Sequence, residues 1–239
     1  MIQLETTKEI WRESKMTVHY IFPVGGSPWL KSPRETEVNS SEIATIISDN
    51  DHLSLSLLFQ AAVSYASEEL DVTFICQKPL DTLPKTVHGM PQPEAKTIST
   101  VKFLYLSTEE ELTEYCSSVH LKTILPDILI VSDFHHYLSD GHSSLGEQTA
   151  ARLLALILDT FCYIKKKRNS SNHALLMSCN SSIKWISSVA KKINYSVLKL
   201  TENEFKESNL EWLQQDKQYA LQFVSEEQLF LKHLSVKEV

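Results

Sequence analysis

From residue 43 onward the chain alternates short apolar runs with longer stretches of helical period. Ile43–Ile47, Val72–Cys76, Val101–Leu106, Ala174–Cys179 and Ser196–Leu200 read as strands, and Ile128–Val131 is the unbroken apolar run expected of a strand buried on both faces. Helices are predicted over Leu53–Glu69, Thr108–Val119 and Leu145–Lys167, and around Ile183–Lys192. The glutamates that follow Thr108 suit the positive end of a helix dipole. Residues 77–100 contain several prolines and read as a loop. Strands alternating with helices imply βαβ units, a parallel sheet and ligand binding beyond the carboxyl ends of the strands. The loops to watch are therefore 48–53, 77–100, 133–144 and 180–184.

The two ends of the chain break this pattern. Tyr219–Val224 and Gln228–Leu234 flank Ser225-Glu226-Glu227 and predict a C-terminal antiparallel hairpin. Residues 1–42 hold three of the eight prolines, the one Gly-Gly pair and scattered charge, and are expected to form a mobile or loosely docked arm. Its apolar content lies at Tyr20–Val24 and Pro28-Trp29-Leu30. The domain proper is then 43–239.

A chain of 239 residues supports one domain with a full core. Its net charge of −7 gives no overall field for nucleic acid, so any such contact must come from a local patch. The four cysteines, Cys76, Cys116, Cys162 and Cys179, lack the spacing of a zinc knuckle and read as reduced thiols. No apolar stretch of the length of a membrane span or of a signal peptide occurs, so no membrane contact is expected. Only five glycines are present, which excludes a Gly-rich loop almost everywhere.

That scarcity bears on the first βα loop. A phosphate-binding loop between a strand and a helix needs glycines to wrap phosphate with backbone N–H groups. It also needs a lysine for the β and γ oxygens and a Ser or Thr hydroxyl for Mg²⁺. Here the loop reads Ser48-Asp49-Asn50-Asp51-His52-Leu53-Ser54-Leu55-Ser56, with neither glycine nor lysine. Asp49 and Asp51 would repel a polyanion. Asp51 is expected to cap the helix, placing its carboxylate where an anion would bind. An ordinary capped βα turn with no nucleotide ancestry explains the same residues.

The flanking segments add a resemblance. Leu57–Ala62, Val72-Thr73-Phe74-Ile75-Cys76-Gln77-Lys78-Pro79-Leu80, Val101–Tyr105, Ile128–Asp133, Tyr137-Leu138 and Leu154–Thr160 stand in a particular order and spacing. Together they resemble the small ATPase associated with the SWIM-domain zinc-finger protein of the animal Shu complex, a divergent branch of the RecA-like recombinase paralogs. The resemblance covers roughly residues 43–232. It implies an α/β RecA-like P-loop-type core and a nuclear role in homologous recombination repair. It further implies binding to single-stranded DNA, ATP with Mg²⁺ as cofactor, a SWIM-domain partner and support of recombinase filaments. The sequence departs from the family at both nucleotide motifs. The loop lysine falls on Ser54 and the following threonine on Leu55, while the acid ending the Walker B strand falls on Ser132, with Asp133 one place late. ATP hydrolysis is accordingly expected to be weak or absent, and Asp133 is the one candidate Mg²⁺ contact.

Other constellations are weaker. His135, His136 and His142 lie near Asp133 and Asp140, but adjacent histidines usually point apart, and they read as solvated loop residues rather than metal ligands. Lys165-Lys166-Lys167-Arg168 reads as a solvated helix end. Lys184, Trp185, Lys191 and Lys192 follow a strand and are the better-placed contacts for single-stranded DNA, although Trp185 also fits a core position. Phe59-Gln60-Ala61-Ala62 has the F-x-x-A spacing of a recombinase hook but reads as helix core.

Overall fold

The structure, a computed structural model, describes residues 17–24, 42–138, 144–168, 172–183, 185–193, 195–214 and 216–238. Its strands are β1 (Ile43–Ile47), β2 (Val72–Cys76), β3 (Val101–Tyr105), β4 (Ile128–Val131), β5 (Ala174–Cys179), β6 (Ser196–Glu202), β7 (Glu207–Gln214), β8 (Lys217–Ser225) and β9 (Leu229–Glu238). Its helices are α1 (Asp51–Ser67), α2 (Ala95–Thr100), α3 (Glu109–Ser118), α4 (Ser144–Arg168) and α5 (Ile186–Ile193). All nine strands join one sheet in the order β3-β2-β4-β5-β1-β6-β7-β8-β9. The pairs from β3 to β6 are parallel, and β6 through β9 pair antiparallel. This is the expected α/β class, with a mostly parallel core and antiparallel C-terminal strands. Strand β5 stands between β1 and β4, the arrangement of a RecA-like core.

The two faces of the sheet bury separate cores. One is built on α1 and takes Phe74, Ile130 and Leu176 from the central strands and Leu210, Trp212 and Phe223 from the antiparallel extension. The other lies under α3, α4 and α5 and takes Leu129, Val131, Leu175 and Met177. Strands β2, β4 and β5 are buried at every position, because helices cover both faces of the parallel sheet.

Helix α1 is buried almost all round, with Leu53, Leu57, Leu58, Phe59, Ala61, Ala62 and Val63 all inaccessible or nearly so. One face meets the sheet, and others are covered by residues 17–24, by the loop 77–94 and by α2, a short helix where the sequence predicted loop. Gln60, fully buried, accepts from the Val87 amide at 2.8 Å and donates to the Pro91 carbonyl at 3.1 Å, tying that loop to the helix. Phe59 is a core residue, as the F-x-x-A segment was read.

Two expectations need correction. The described part of the predicted arm, 17–24, is docked into the core: Val18, Tyr20, Ile21, Phe22 and Val24 are buried. Tyr20 stacks on Tyr65 with ring centroids 3.8 Å apart and donates to Glu68 Oε2 at 2.6 Å, and Phe22 packs on Phe223 at 5.0 Å. These residues cover apolar surface of α1 that the sheet leaves open. The remainder of 1–41 lies outside the described residues. Secondly, the terminal hairpin is β8–β9, but it is preceded by a further strand, β7, which the sequence pattern did not yield. No helix among the described residues is long and apolar enough to cross a membrane.

Candidate functional site at the carboxyl edge

The carboxyl ends of β1, β4 and β5 converge on the N-terminus of α1, where a RecA-like protein would hold phosphate. Asn50, not Asp51, caps this helix: its backbone is extended (φ −109°, ψ 94°) and its Oδ1 accepts from the Leu53 amide at 3.0 Å. Both residue types make good caps, and the last extended residue takes the role. Asp51 is instead the first helical residue, which frees its carboxylate to face the loop after β4.

The described part of that loop contains a 3-10 turn, Phe134–Tyr137, held down by the buried Phe134 and Tyr137. Asp133 precedes it with φ 52° and ψ 49°, a left-handed conformation that turns the chain sharply off the strand. The turn presents His135 and His136 together, with ring centroids 4.1 Å apart. His135 Nε2 lies 3.8 Å and His136 Nε2 3.9 Å from Asp51 Oδ2. The two rings therefore do not point apart as expected, although His136 is exposed as expected and His135 is half-buried. His142 and Asp140 lie outside the described residues.

Hydrogen bonds lock these loops to one another. The Asn180 amide donates to His135 Nδ1 at 3.2 Å, so a neutral His135 carries its proton on Nε2, facing Asp51. Gln77 Nε2 donates to the His136 carbonyl at 2.8 Å. Ser181 Oγ donates to Asp49 Oδ1 at 2.6 Å, and Asn50 Nδ2 donates to Glu202 Oε2 at 2.7 Å. The Asp133 amide donates to Ser178 Oγ at 2.8 Å, and that hydroxyl donates back to Asp133 Oδ1 at 3.2 Å. Burial pushes the Asp133 carboxyl up from the ordinary carboxylate range, and the Asp51 charge adds to it. Burial pushes the His135 imidazole down, with His136 contributing.

These residues do not fit ATP with Mg²⁺ in the P-loop manner. Ser54, at the lysine position, is buried, and its hydroxyl lies within hydrogen-bonding reach of the Asn50 and Asp51 carbonyls of its own helix, at 3.2 and 3.0 Å. Leu55 is half-buried on the adjoining turn, and Ser56 donates to the His52 carbonyl at 2.8 Å. Ser48 is buried, and its hydroxyl accepts from the Asn50 amide at 3.0 Å. Ser132, at the Walker B acid position, is buried. A cavity of about 620 Å³ opens beside the loop, and its walls carry Asp49, Asp51 and Glu202 and, among the described residues, no lysine or arginine. A triphosphate would meet carboxylates there.

Of the residues expected at DNA, Trp185 is half-buried against the α3–α4 core. Lys184 lies outside the described residues, as do the side chains of Lys191 and Lys192. The solvated reading of Lys165–Arg168 holds for Lys165, which is exposed, and fails for Arg168, which is half-buried. Lys165 pairs with Glu42, and Arg168 binds Asp71 and the buried Asp127.

No protein-family model matches the chain, and no curated protein matches it. Among solved structures it is similar to the flagellar accessory protein FlaH from Methanocaldococcus jannaschii, at 11% identity and a TM-score of 0.47, over 83% of this chain and 90% of that one. The fold class rests on this chain's own strand order.

Proposed function

We propose that this chain is a RecA-like subunit of a homologous-recombination DNA-repair complex. It pairs with a SWIM-domain zinc-finger protein, binds single-stranded DNA and supports recombinase filaments in the nucleus, without P-loop ATP hydrolysis. The observation that carries the last part is the carboxyl edge itself: a buried serine replaces the lysine, and carboxylates line the mouth. The ordered sequence resemblance supports the repair setting and the partner.

The test is co-expression of the full chain with the SWIM-domain protein. The reading expects joint purification and salt-sensitive retention of a single-stranded oligonucleotide. It also expects ATP turnover no faster than that of buffer. Joint purification without oligonucleotide retention would reduce the chain to a protein-interaction scaffold. A second reading, an ATPase stimulated by single-stranded DNA, draws on Asp133, a buried-side carboxyl at the end of the Walker-B-like strand. It requires turnover that DNA stimulates and that Asp133→Ala abolishes.

A further inference from the structure

We propose that Asp51, His135 and His136 form a binding site for a divalent transition-metal ion of the zinc type. Two imidazoles and a carboxylate are the ligand set such ions favour over Mg²⁺ or Ca²⁺. The candidate ligand atoms of the three residues all lie within 4.8 Å of one another, and the two imidazole nitrogens Nε2 stand 3.8 and 3.9 Å from Asp51 Oδ2. Bonds of about 2.0–2.2 Å in a tetrahedral shell put ligand atoms roughly 3.3–3.6 Å apart, so each His–Asp separation closes by a few tenths of an ångström, while the two imidazoles, within 4.8 Å of each other, close by up to about 1.5 Å.

The scaffold holds the ligands for this. His135 and His136 sit on one short turn anchored by two buried aromatics, and Asp51 sits on the first turn of a buried helix. The surroundings favour a cation. The adjoining cavity, with its three acidic side chains, gives an entry path.

Metal binding requires one change at His135. Coordination through Nε2 moves its proton to Nδ1, where the Asn180 amide now donates. That contact must break, so the Asn180 amide becomes a reporter of metal at this site. One hydrogen bond is given up for three metal–ligand bonds.

The experiment uses the full chain, stripped with a chelator and titrated with Zn²⁺ against a chromophoric competitor, with the amide spectrum followed in parallel. The expected result is one saturable site, a shifted Asn180 amide, and no effect of Mg²⁺ at the same concentration. His136→Ala and Asp51→Asn should each weaken binding at least ~10–100-fold, the range that loss of even a supporting partner produces. Absence of saturable uptake overturns the proposal, and so does uptake that leaves the Asn180 amide unmoved, which places the ion elsewhere. The amide readout needs no variant, so a misfolded substitution does not blunt the test. Failure here leaves the proposed repair function standing, because partner and DNA binding do not depend on this ion.

Discussion

Arg168, the last residue of α4, grips Asp127, the buried residue that leads into β4: Nε donates to Oδ1 at 2.9 Å and NH2 to Oδ2 at 2.5 Å. The same guanidinium reaches Asp71 before β2, and Asp127 also accepts from the Asp71 amide at 3.1 Å. The longest helix is thereby pinned to the amino ends of two central strands. Removing one partner strands the other charge, and for a buried pair this costs about 3–5 kcal/mol. The Arg168 side chain is 30% exposed, so solvent takes up part of the loss. Arg168→Ala should therefore lower stability by roughly 2–3 kcal/mol in urea unfolding. Arg168→Lys should recover only part, since a lysine cannot make the forked pair.

Placing a lysine at position 54 should not create nucleotide binding. Ser54 is 2% exposed and its hydroxyl is tied to its own helix. A lysine there must extend past its neighbours to reach the mouth, or else bury its charge. Ser54→Lys is expected to lower stability by about 1–3 kcal/mol, the usual range for an ill-matched buried group. ATP at millimolar concentration should shift the melting temperature of neither the parent nor the variant. A saturable shift in the variant would show that lysine alone was lacking, and that the absent glycines and the three carboxylates matter little.

How much of this was legible follows from the range of the interactions involved. Strands β2, β4 and β5 announce themselves because helices cover both faces and nearly every position is apolar, and β1, β3 and β6 still carry short apolar runs. β7 does not, because its inward row is Ser208, Leu210 and Trp212, and a buried serine hides the alternation. The absence of glycine and lysine from the first βα loop is local and can be read directly from residues 48–56. The clustering of Asp51 with His135 and His136 is not local. A 3-10 turn spaces neighbours by about 120°, so two adjacent rings can both reach a partner that happens to lie between them. Which partner stands there is decided by the crossing of β1 and β4 loops, and no window of sequence contains that. The cap likewise turned on one residue: Asn50 and Asp51 are both competent, and the backbone conformation at 50 chooses.

The docking of residues 17–24 gives a sharper expectation than an arm would. Phe22 is fully buried against Phe223. Phe22→Ala should destabilise the fold by about 3–5 kcal/mol, as for other large-to-small changes of a buried aromatic. Tyr20→Phe keeps the stack on Tyr65 and loses the hydrogen bond to Glu68, which should cost only about 0.5–1.5 kcal/mol. Truncation before residue 25 should expose apolar surface of α1 and give an aggregating product. A truncated chain with unchanged unfolding midpoint would return these residues to the status of an arm.

Thiol chemistry tests the two cores independently. Burial pushes the Cys76 thiol up to about 11 and Cys179 up to about 12, with the Asp133 charge adding to both, and burial also raises Cys116. A thiol with a pKa near 11 is only about one part in a thousand thiolate at pH 8, and the thiolate is the reactive form. Its ionised fraction rises tenfold for each pH unit below the pKa, so alkaline pH should quicken labelling of Cys76 before Cys179. Access limits both further, because reagent must wait for local opening. Cys162, by contrast, is exposed on α4. In the native protein at pH 8, a chromogenic disulfide should therefore consume one thiol rapidly, with Cys76, Cys116 and Cys179 following only in denaturant. Rapid reaction of Cys179 under native conditions would mean that the carboxyl end of β5, and with it the Ser178–Asp133 and Asn180–His135 contacts, opens readily.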